Sequence, residues 1–186
     1  VGWDDSDLRP VGMSVKNAAK TTTGVTSFMR RFSNTIREVG QSGRRGASLQ
    51  SLFVQHPEII DFIKVKQDRT QVTGSNIAVK FTDNFLNAVD KNEDFELKWP
   101  VHSDTPKISK VVKAKDIWKE FIHSAWFMAE PGAMFWDTVL RRSTTAPYKQ
   151  LGFEEIPSNP CGEQYLPPYA SRRVILMNLL TYVKNK

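Results

Sequence analysis

Between Val25 and Val39 the apolar residues fall at Val25, Phe28, Met29, Phe32, Ile36 and Val39, in steps of three and four, with polar residues between them. That spacing makes the segment an amphipathic helix, stopped at Gly40. What most constrains the fold is how this period alternates with short strand-like runs. Ala47 to Val54 reads as a strand, and His56-Pro57 opens a short helix through Ile59, Ile60, Ile63 and Val65. A polar loop from Gln67 to Ser75 leads to a strand from Asn76 to Phe81, and Asp83 is placed to cap a helix reaching Val89. Phe95 to Pro100 reads as a further strand or edge, and Val101 to Lys113 as a polar, basic surface excursion. Ala114 to Ala129 is a second helix, whose broad apolar face includes Ile117, Trp118, Phe121 and Trp126 and reads as core packing. Glu130-Pro131-Gly132 ends it, Ala133 to Trp136 reads as a short buried strand, and Asp137-Thr138 starts a helical stretch. Ser171 to Val183 carries apolar residues that suit a strand running into a helix. Such an order predicts an α/β fold with a mainly parallel sheet or barrel. By contrast, Val1 to Gly24 is polar and reads as irregular and loop-rich.

At 186 residues the chain is long enough for one domain with a real core. No run approaches the about 18 consecutive apolar residues of a membrane span, and no signal peptide opens the sequence. The formal net charge of +6 suits an anionic partner, either nucleotide phosphate or nucleic acid. Its cations are scattered pairs such as Arg30-Arg31 and Arg44-Arg45, with no basic helix and no RNA-binding motif, which argues against direct nucleic-acid binding. Gly40 to Gly46 is a glycine-rich basic turn able to cradle a phosphate, but it lacks the Lys-Ser/Thr ending of a P-loop. The single cysteine rules out an internal disulfide framework and fits a reducing cytoplasm.

That cysteine lies in Ser158-Asn159-Pro160-Cys161-Gly162-Glu163-Gln164. In an extended segment Asn159, Cys161 and Glu163 would share a face, bringing a thiol beside an amide and a carboxylate. Pro160 would stiffen the backbone and Gly162 leave room for close approach. A lone cysteine is more often a small buried hydrophobe than a reagent. A cysteine hydrolase would further need His56, His102 or His123 brought to Cys161 by the fold.

Asn-Pro-Cys-Gly-Glu at 159–163 resembles the active-site loop of the large, catalytic subunit of ribonucleotide reductases, most like the adenosylcobalamin-dependent class. Further likenesses are Val1-Gly2-Trp3-Asp4 with Leu8-Arg9-Pro10-Val11-Gly12, the Gly43-Arg44-Arg45-Gly46-Ala47 turn, and Ala129-Glu130-Pro131-Gly132 through Asp137, so the similarity runs along essentially the whole chain. It implies part of a ten-stranded α/β barrel with the cysteine on a central loop. Residues 1–186 would form one partial catalytic domain: an effector-site segment at 1–24, helix and strand units at 25–157, and the active-site loop with the following strand and helix at 158–186. Cys161 would become the thiyl radical that takes the 3′ hydrogen of the substrate ribose. Glu163 would accept the 3′ hydroxyl proton, and Asn159 would orient sugar and carboxylate. Arg9 would contact the triphosphate of a dNTP or ATP effector, and Arg69 and Gln71, in the loop from Lys66 to Ser75, would link effector to substrate base. The radical would come from adenosylcobalamin, not bound by this segment alone, or from a separate metal-containing small subunit. The remaining partners implied are the ribonucleotide, the rest of the reductase chain or a split subunit, and a second copy in a homodimer. No metal ligands are read in this segment.

The likeness breaks at one position. The family uses two further cysteines as a redox pair: one lies upstream of the region that Val1 begins, and the second is expected in a Tyr-x-Ser-Cys segment. This chain has Tyr169-Ala170-Ser171-Arg172. Arginine cannot form a disulfide, and its charge beside the site would cost several kcal/mol unless paired. The expectation is therefore a fragment, a split-gene product or a decayed copy, or a local reading-frame disturbance around Val174-Ile175-Leu176. The competing reading is a non-catalytic nucleotide-binding or assembly module that has lost the redox pair.

Overall fold

The structure is a computed structural model describing residues 1–156, 158–173 and 175–183. Its centre is a four-stranded, wholly parallel sheet in which Gly2–Asp4, Ser48–Phe53, Ser75–Phe81 and Gly132–Phe135 lie side by side in that order. The sheet begins with β1 (Gly2–Asp4), and α1 (Val25–Glu38) follows. A small antiparallel hairpin of β2 (Gly40–Gln41) and β3 (Arg44–Arg45) leads into β4 (Ser48–Phe53). Then come α2 (Ile59–Lys64), β5 (Ser75–Phe81), α3 (Asp83–Lys91), and a second hairpin of β6 (Asp94–Trp99) with β7 (Ile108–Lys113). The chain continues through α4 (Ala114–Met128) to β8 (Gly132–Phe135) and α5 (Trp136–Arg142).

Period-two alternation along the strands gives the sheet two different faces. One face is covered by helices. Leu52 of β4 with Ile77, Val79 and Phe81 of β5 join Met29 of α1, Phe62 of α2, Phe85 of α3 and Phe121 of α4 in the main core. Phe81 stacks on Phe85 and meets Phe121 edge-on at 4.8 Å, and such aromatic pairs fix relative orientation as well as burying area. Every residue of β4 is buried, as befits a central parallel strand. The N-terminus of α1 takes its capping acceptor from a distant residue: Val25 N–H donates to Glu58 Oε2 at 2.9 Å.

The second face carries Leu49, Ala78 and Met134, then Phe53, Val101 and Trp136, two smaller clusters joined by Tyr165 of the cysteine segment. The chain therefore supplies an α/β sheet with helices outside and the cysteine segment on the inner face. Among the described residues the sheet does not close on itself.

Several expectations are corrected. Gly2–Asp4 is a strand, not loop, because β4 offers a parallel ladder with Trp3 opposite Gln50; three residues carry too little pattern to be read alone. Ile108–Lys113 is a strand within the supposed surface excursion, and its exposed lysines concealed the pairing with β6. The cap of α3 is Thr82, whose side chain accepts from Phe85 N–H, while Asp83 is the first helical residue. Among the described residues β8 has a neighbour on one side only, and of its residues Met134 alone is buried. Among the described residues of 171–183 there is neither strand nor α-helix, only a 3₁₀ turn at Leu179–Tyr182, and Ile175 and Leu176 are about 90% exposed (90% and 91%). Val174 lies outside the described residues.

Candidate active site

The cysteine segment is a turn, not an extended run, so the expected sharing of one face by residues 159, 161 and 163 does not arise from strand alternation. Ser158 and Tyr165 form an antiparallel bridge, and Asn159 N–H donates to Gln164 O at 3.1 Å. Gly162 N–H closes the turn on Asn159 O at 2.9 Å. Gly162 holds φ at +81°, the left-handed region that an L side chain enters at a cost, which is the physical requirement for glycine there.

Within the turn two of the three expected residues meet. Asn159 is buried, and its Nδ2–H donates to Glu163 Oε2 at 2.6 Å while its Oδ1 accepts from Gln164 N–H at 2.8 Å. One amide thus fixes both the carboxylate and the backbone beside it. Glu163 is exposed, and its carboxyl is held below the usual glutamate range, chiefly by the Asn159 hydrogen bond, then by its own backbone N–H and the charge of Arg172. Arg172 occupies the other carboxylate oxygen, with Nη2 2.6 Å from Glu163 Oε1. The arginine is therefore paired, which answers the charge penalty expected of it.

Cys161 stands at the exposed tip. It borders a hollow of about 300 Å³ shared with Asn76, Ala129, Met134 and Gly162. Asn159 and Arg172 border a different hollow, of about 740 Å³, between the turn and β1. Cys161 thus borders a different hollow from Asn159, and among the described residues nothing encloses it. Nor does any histidine approach it. His56 is buried, its Nδ1 accepting from Glu58 N–H at 3.1 Å and its Nε2 donating to Leu8 O at 3.0 Å, and burial pushes its pKa down to about 4. His102 packs edge-on against Phe53, and His123 stacks on Phe127 of α4. The thiol–imidazole pair of a cysteine hydrolase is not formed.

Two residues that sequence reasoning passed over hold the segment in place, both from the inner face of β5. Lys80, 1% exposed, donates to Ile156 O at 2.6 Å and to Asp4 Oδ2 at 2.8 Å, with its ammonium 3.8 Å from the Trp136 ring centre. Asn76 Nδ2–H donates to Pro160 O at 2.8 Å. Anchors four residues apart on the strand meet carbonyls four residues apart on the segment, in the opposite chain direction. The signal for Lys80 was in the sequence: a lysine inside the apolar run Ile77-Ala78-Val79-Lys80-Phe81 must find a partner.

The expected effector residues are less gathered. Arg9 and Arg69 are exposed, whereas Gln71 accepts from Arg30 and donates to Asp68 Oδ2 at 3.1 Å. Lys66, which opens the same loop, donates to Ser75 O at 2.7 Å and pairs with Glu130 at 2.5 Å. Among the described residues no group of three His, Cys, Asp or Glu side chains could hold a metal ion, and no described helix is long and apolar enough to cross a membrane.

A parallel sheet with helices on one face and a cysteine turn anchored across the other has the layering of a segment of an α/β barrel. Residues 1–180 match the family described as "Ribonucleotide reductase, barrel domain", and the chain belongs to that family. It is 38% identical over 184 residues to the vitamin B12-dependent ribonucleoside-diphosphate reductase of Thermoplasma acidophilum, covering 98% of this chain and 23% of that protein. It is 34% identical over 180 residues to the enzyme of the same description from Mycobacterium tuberculosis, covering 96% of this chain and 25% of the relative. A vitamin B12-dependent ribonucleotide reductase of Rhodopirellula baltica is 28% identical over 88% of this chain and 18% of its own length. The chain thus spans about a quarter of the length of the curated relatives it matches most fully.

Proposed function

We propose that this chain is the part of a ribonucleotide reductase catalytic subunit that presents the radical cysteine and its acid–base partner to a ribonucleotide. The observation that carries the reading is the Asn159–Glu163 hydrogen bond of 2.6 Å, closing a turn around Cys161 on the inner face of a parallel sheet. In this reading the Cys161 thiyl radical takes the 3′ hydrogen atom of the ribose. Glu163, held ionised by Asn159, receives the 3′ hydroxyl proton. Two carboxylate oxygens offer about four lone-pair sites, so the pairs with Asn159 and Arg172 leave room for that proton.

The relatives are vitamin B12-dependent reductases, which points to adenosylcobalamin as the radical source. The hollow beside the sulfur, about 300 Å³, is too small to enclose a corrin, but the exposed sulfur meets the one demand such a group makes of this segment. When bound, the group would supply the radical that removes the hydrogen atom from the Cys161 thiol. Arg9, Arg69 and Gln71 would serve a nucleoside triphosphate effector, the complete enzyme would act as a homodimer in the cytoplasm, and residues 1–186 would be one part of its catalytic domain.

The Arg172–Glu163 pair favours a second reading, because an arginine salt bridge stands where the likeness expects a redox cysteine. In that case the chain is a nucleotide-binding or assembly module without turnover. Residues 1–180 of this chain, carrying Arg172→Cys and set into the Thermoplasma reductase in place of its matching segment, distinguish the two. Cobalamin-dependent deoxyribonucleotide formation supports the first reading; a folded, nucleotide-binding chimera without product supports the second.

A further inference from the structure

Asn76 is the first residue after the loop from Lys66 to Ser75, and it stands exposed on the inner face of β5. Its side chain reaches 84 residues along the sequence to Pro160 O, one residue before the sulfur. It also borders two hollows. One, of about 300 Å³, contains Cys161; the other, of about 480 Å³, is walled by Arg37, Arg45, Thr73 and Gly74. Among the described residues Asn76 alone is common to both.

The loop that precedes Asn76 is tied to α1 up to the residues next to Asn76. Gly74 N–H donates to Ser33 Oγ at 2.8 Å, Arg37 Nη1–H donates to Thr73 Oγ1 at 2.6 Å, and Arg30 donates to Gln71, so α1 grips the loop at three residues. A methyl group at Gly74 would overlap the Ser33 carbonyl oxygen and lie 2.7 Å from Arg37 Cγ. Lys66 ties the start of the loop to Ser75 O at 2.7 Å. A displacement of Thr73 and Gly74 reaches Ser75 and Asn76 directly, since these are the next residues of the chain.

We propose that Asn76 is a positioning residue for Cys161, passing displacements of the loop at 66–75 to the cysteine turn through its hydrogen bond to Pro160. The regulatory meaning rests on the proposed reading of that loop as the effector-linked one; the mechanical link does not.

Three amides that close the turn, those of Asn159, Gly162 and Gln164, report its opening by hydrogen exchange in the chain itself. Loss of one hydrogen bond to a partly exposed carbonyl predicts exchange faster by about two- to tenfold at all three in Asn76→Ala, with amides of α4 unchanged. Asn76→Asp, which cannot donate, behaves like Asn76→Ala. Gly74→Ala alters the same three amides in the parent and has no further effect in the Asn76→Ala background. If Gly74→Ala unravels α1, Thr73→Val takes its place in the cycle, since it removes only the Arg37 contact. Unchanged exchange in Asn76→Ala, or an equal response to the loop variant in both backgrounds, overturns the proposal. No turnover is measured, so an inactive reductase leaves the link standing, and a failed link leaves the reductase reading standing.

Discussion

Lys80→Met removes the charge that fastens the cysteine segment to the sheet while keeping most of the volume of the lysine stem. The ammonium lies 2.8 Å from Asp4 and 2.6 Å from the Ile156 carbonyl, with the lysine 1% exposed and the Asp4 side chain 14% exposed. Burial lowers the pKa of Lys80, and the Asp4 carboxylate acts against that shift. The variant leaves a nearly buried carboxylate without its cation and a carbonyl without its donor. Breaking a buried pair from one side typically costs about 3–5 kcal/mol. Asp4 keeps two donors from Ser6, at 3.2 Å and 2.6 Å, which places the cost at the low end, about 3 kcal/mol. With a urea slope of about 2 kcal/mol/M, the unfolding midpoint falls by about 1.5 M. Asp4→Asn in the same chain removes the stranded charge and returns more than half of the loss, as a double-mutant cycle would read it. A midpoint change below about 0.5 M for Lys80→Met, or no rescue by Asp4→Asn, refutes the reasoning.

Asp5 is 1% exposed, its Oδ2 has no hydrogen-bond partner among the described residues, and burial followed by the charge of Asp4 raises its pKa to about 8. The folded chain therefore keeps a proton that the unfolded chain releases above its ordinary value of 3.8, and stability falls as pH rises from about 4 to about 8, by about 1.4 kcal/mol per unit. Asp5→Asn flattens that slope, as urea midpoints at pH 5 and pH 8 would show; parallel slopes in parent and variant would exclude it. For Glu163, a carboxyl titration followed by NMR moves upward in both Asn159→Ala and Arg172→Met, with the larger shift in Asn159→Ala; the reverse order would place the dominant contact at the arginine. Gly162→Ala forces a methyl-bearing residue to φ +81° and costs about 1 kcal/mol together with faster exchange in the turn, whereas an unaffected turn would mean that the left-handed geometry is not needed.

Helices and long strands were legible because their patterns are local. The steps of three and four in α1 and the run of β5 state their own period and their own buried face. β1 was not, because three residues gain their structure from the neighbouring ladder of β4. Ile175 and Leu176 misled for a related reason: their apolar character calls for a covering surface that the described residues do not provide. At the site, the residue types around Cys161 were readable but their geometry was not. Alternation assumes extended backbone, and Gly162 at positive φ turns the chain back, so that Asn159 meets Glu163 across a turn while Cys161 stands at its exposed tip. The anchors Asn76 and Lys80 lie 84 and 76 residues from the carbonyls they hold, a separation that no local pattern encodes.

The central claim is that Cys161 exchanges a hydrogen atom with the ribose 3′ carbon, and it is tested most directly with a 3′-tritiated ribonucleotide. In the chimera carrying residues 1–180 and Arg172→Cys, tritium passes from the 3′ carbon to solvent. Cys161→Ser abolishes that transfer while nucleotide affinity stays within about twofold, since binding does not use the sulfur. Exchange that continues undiminished in Cys161→Ser would contradict the account.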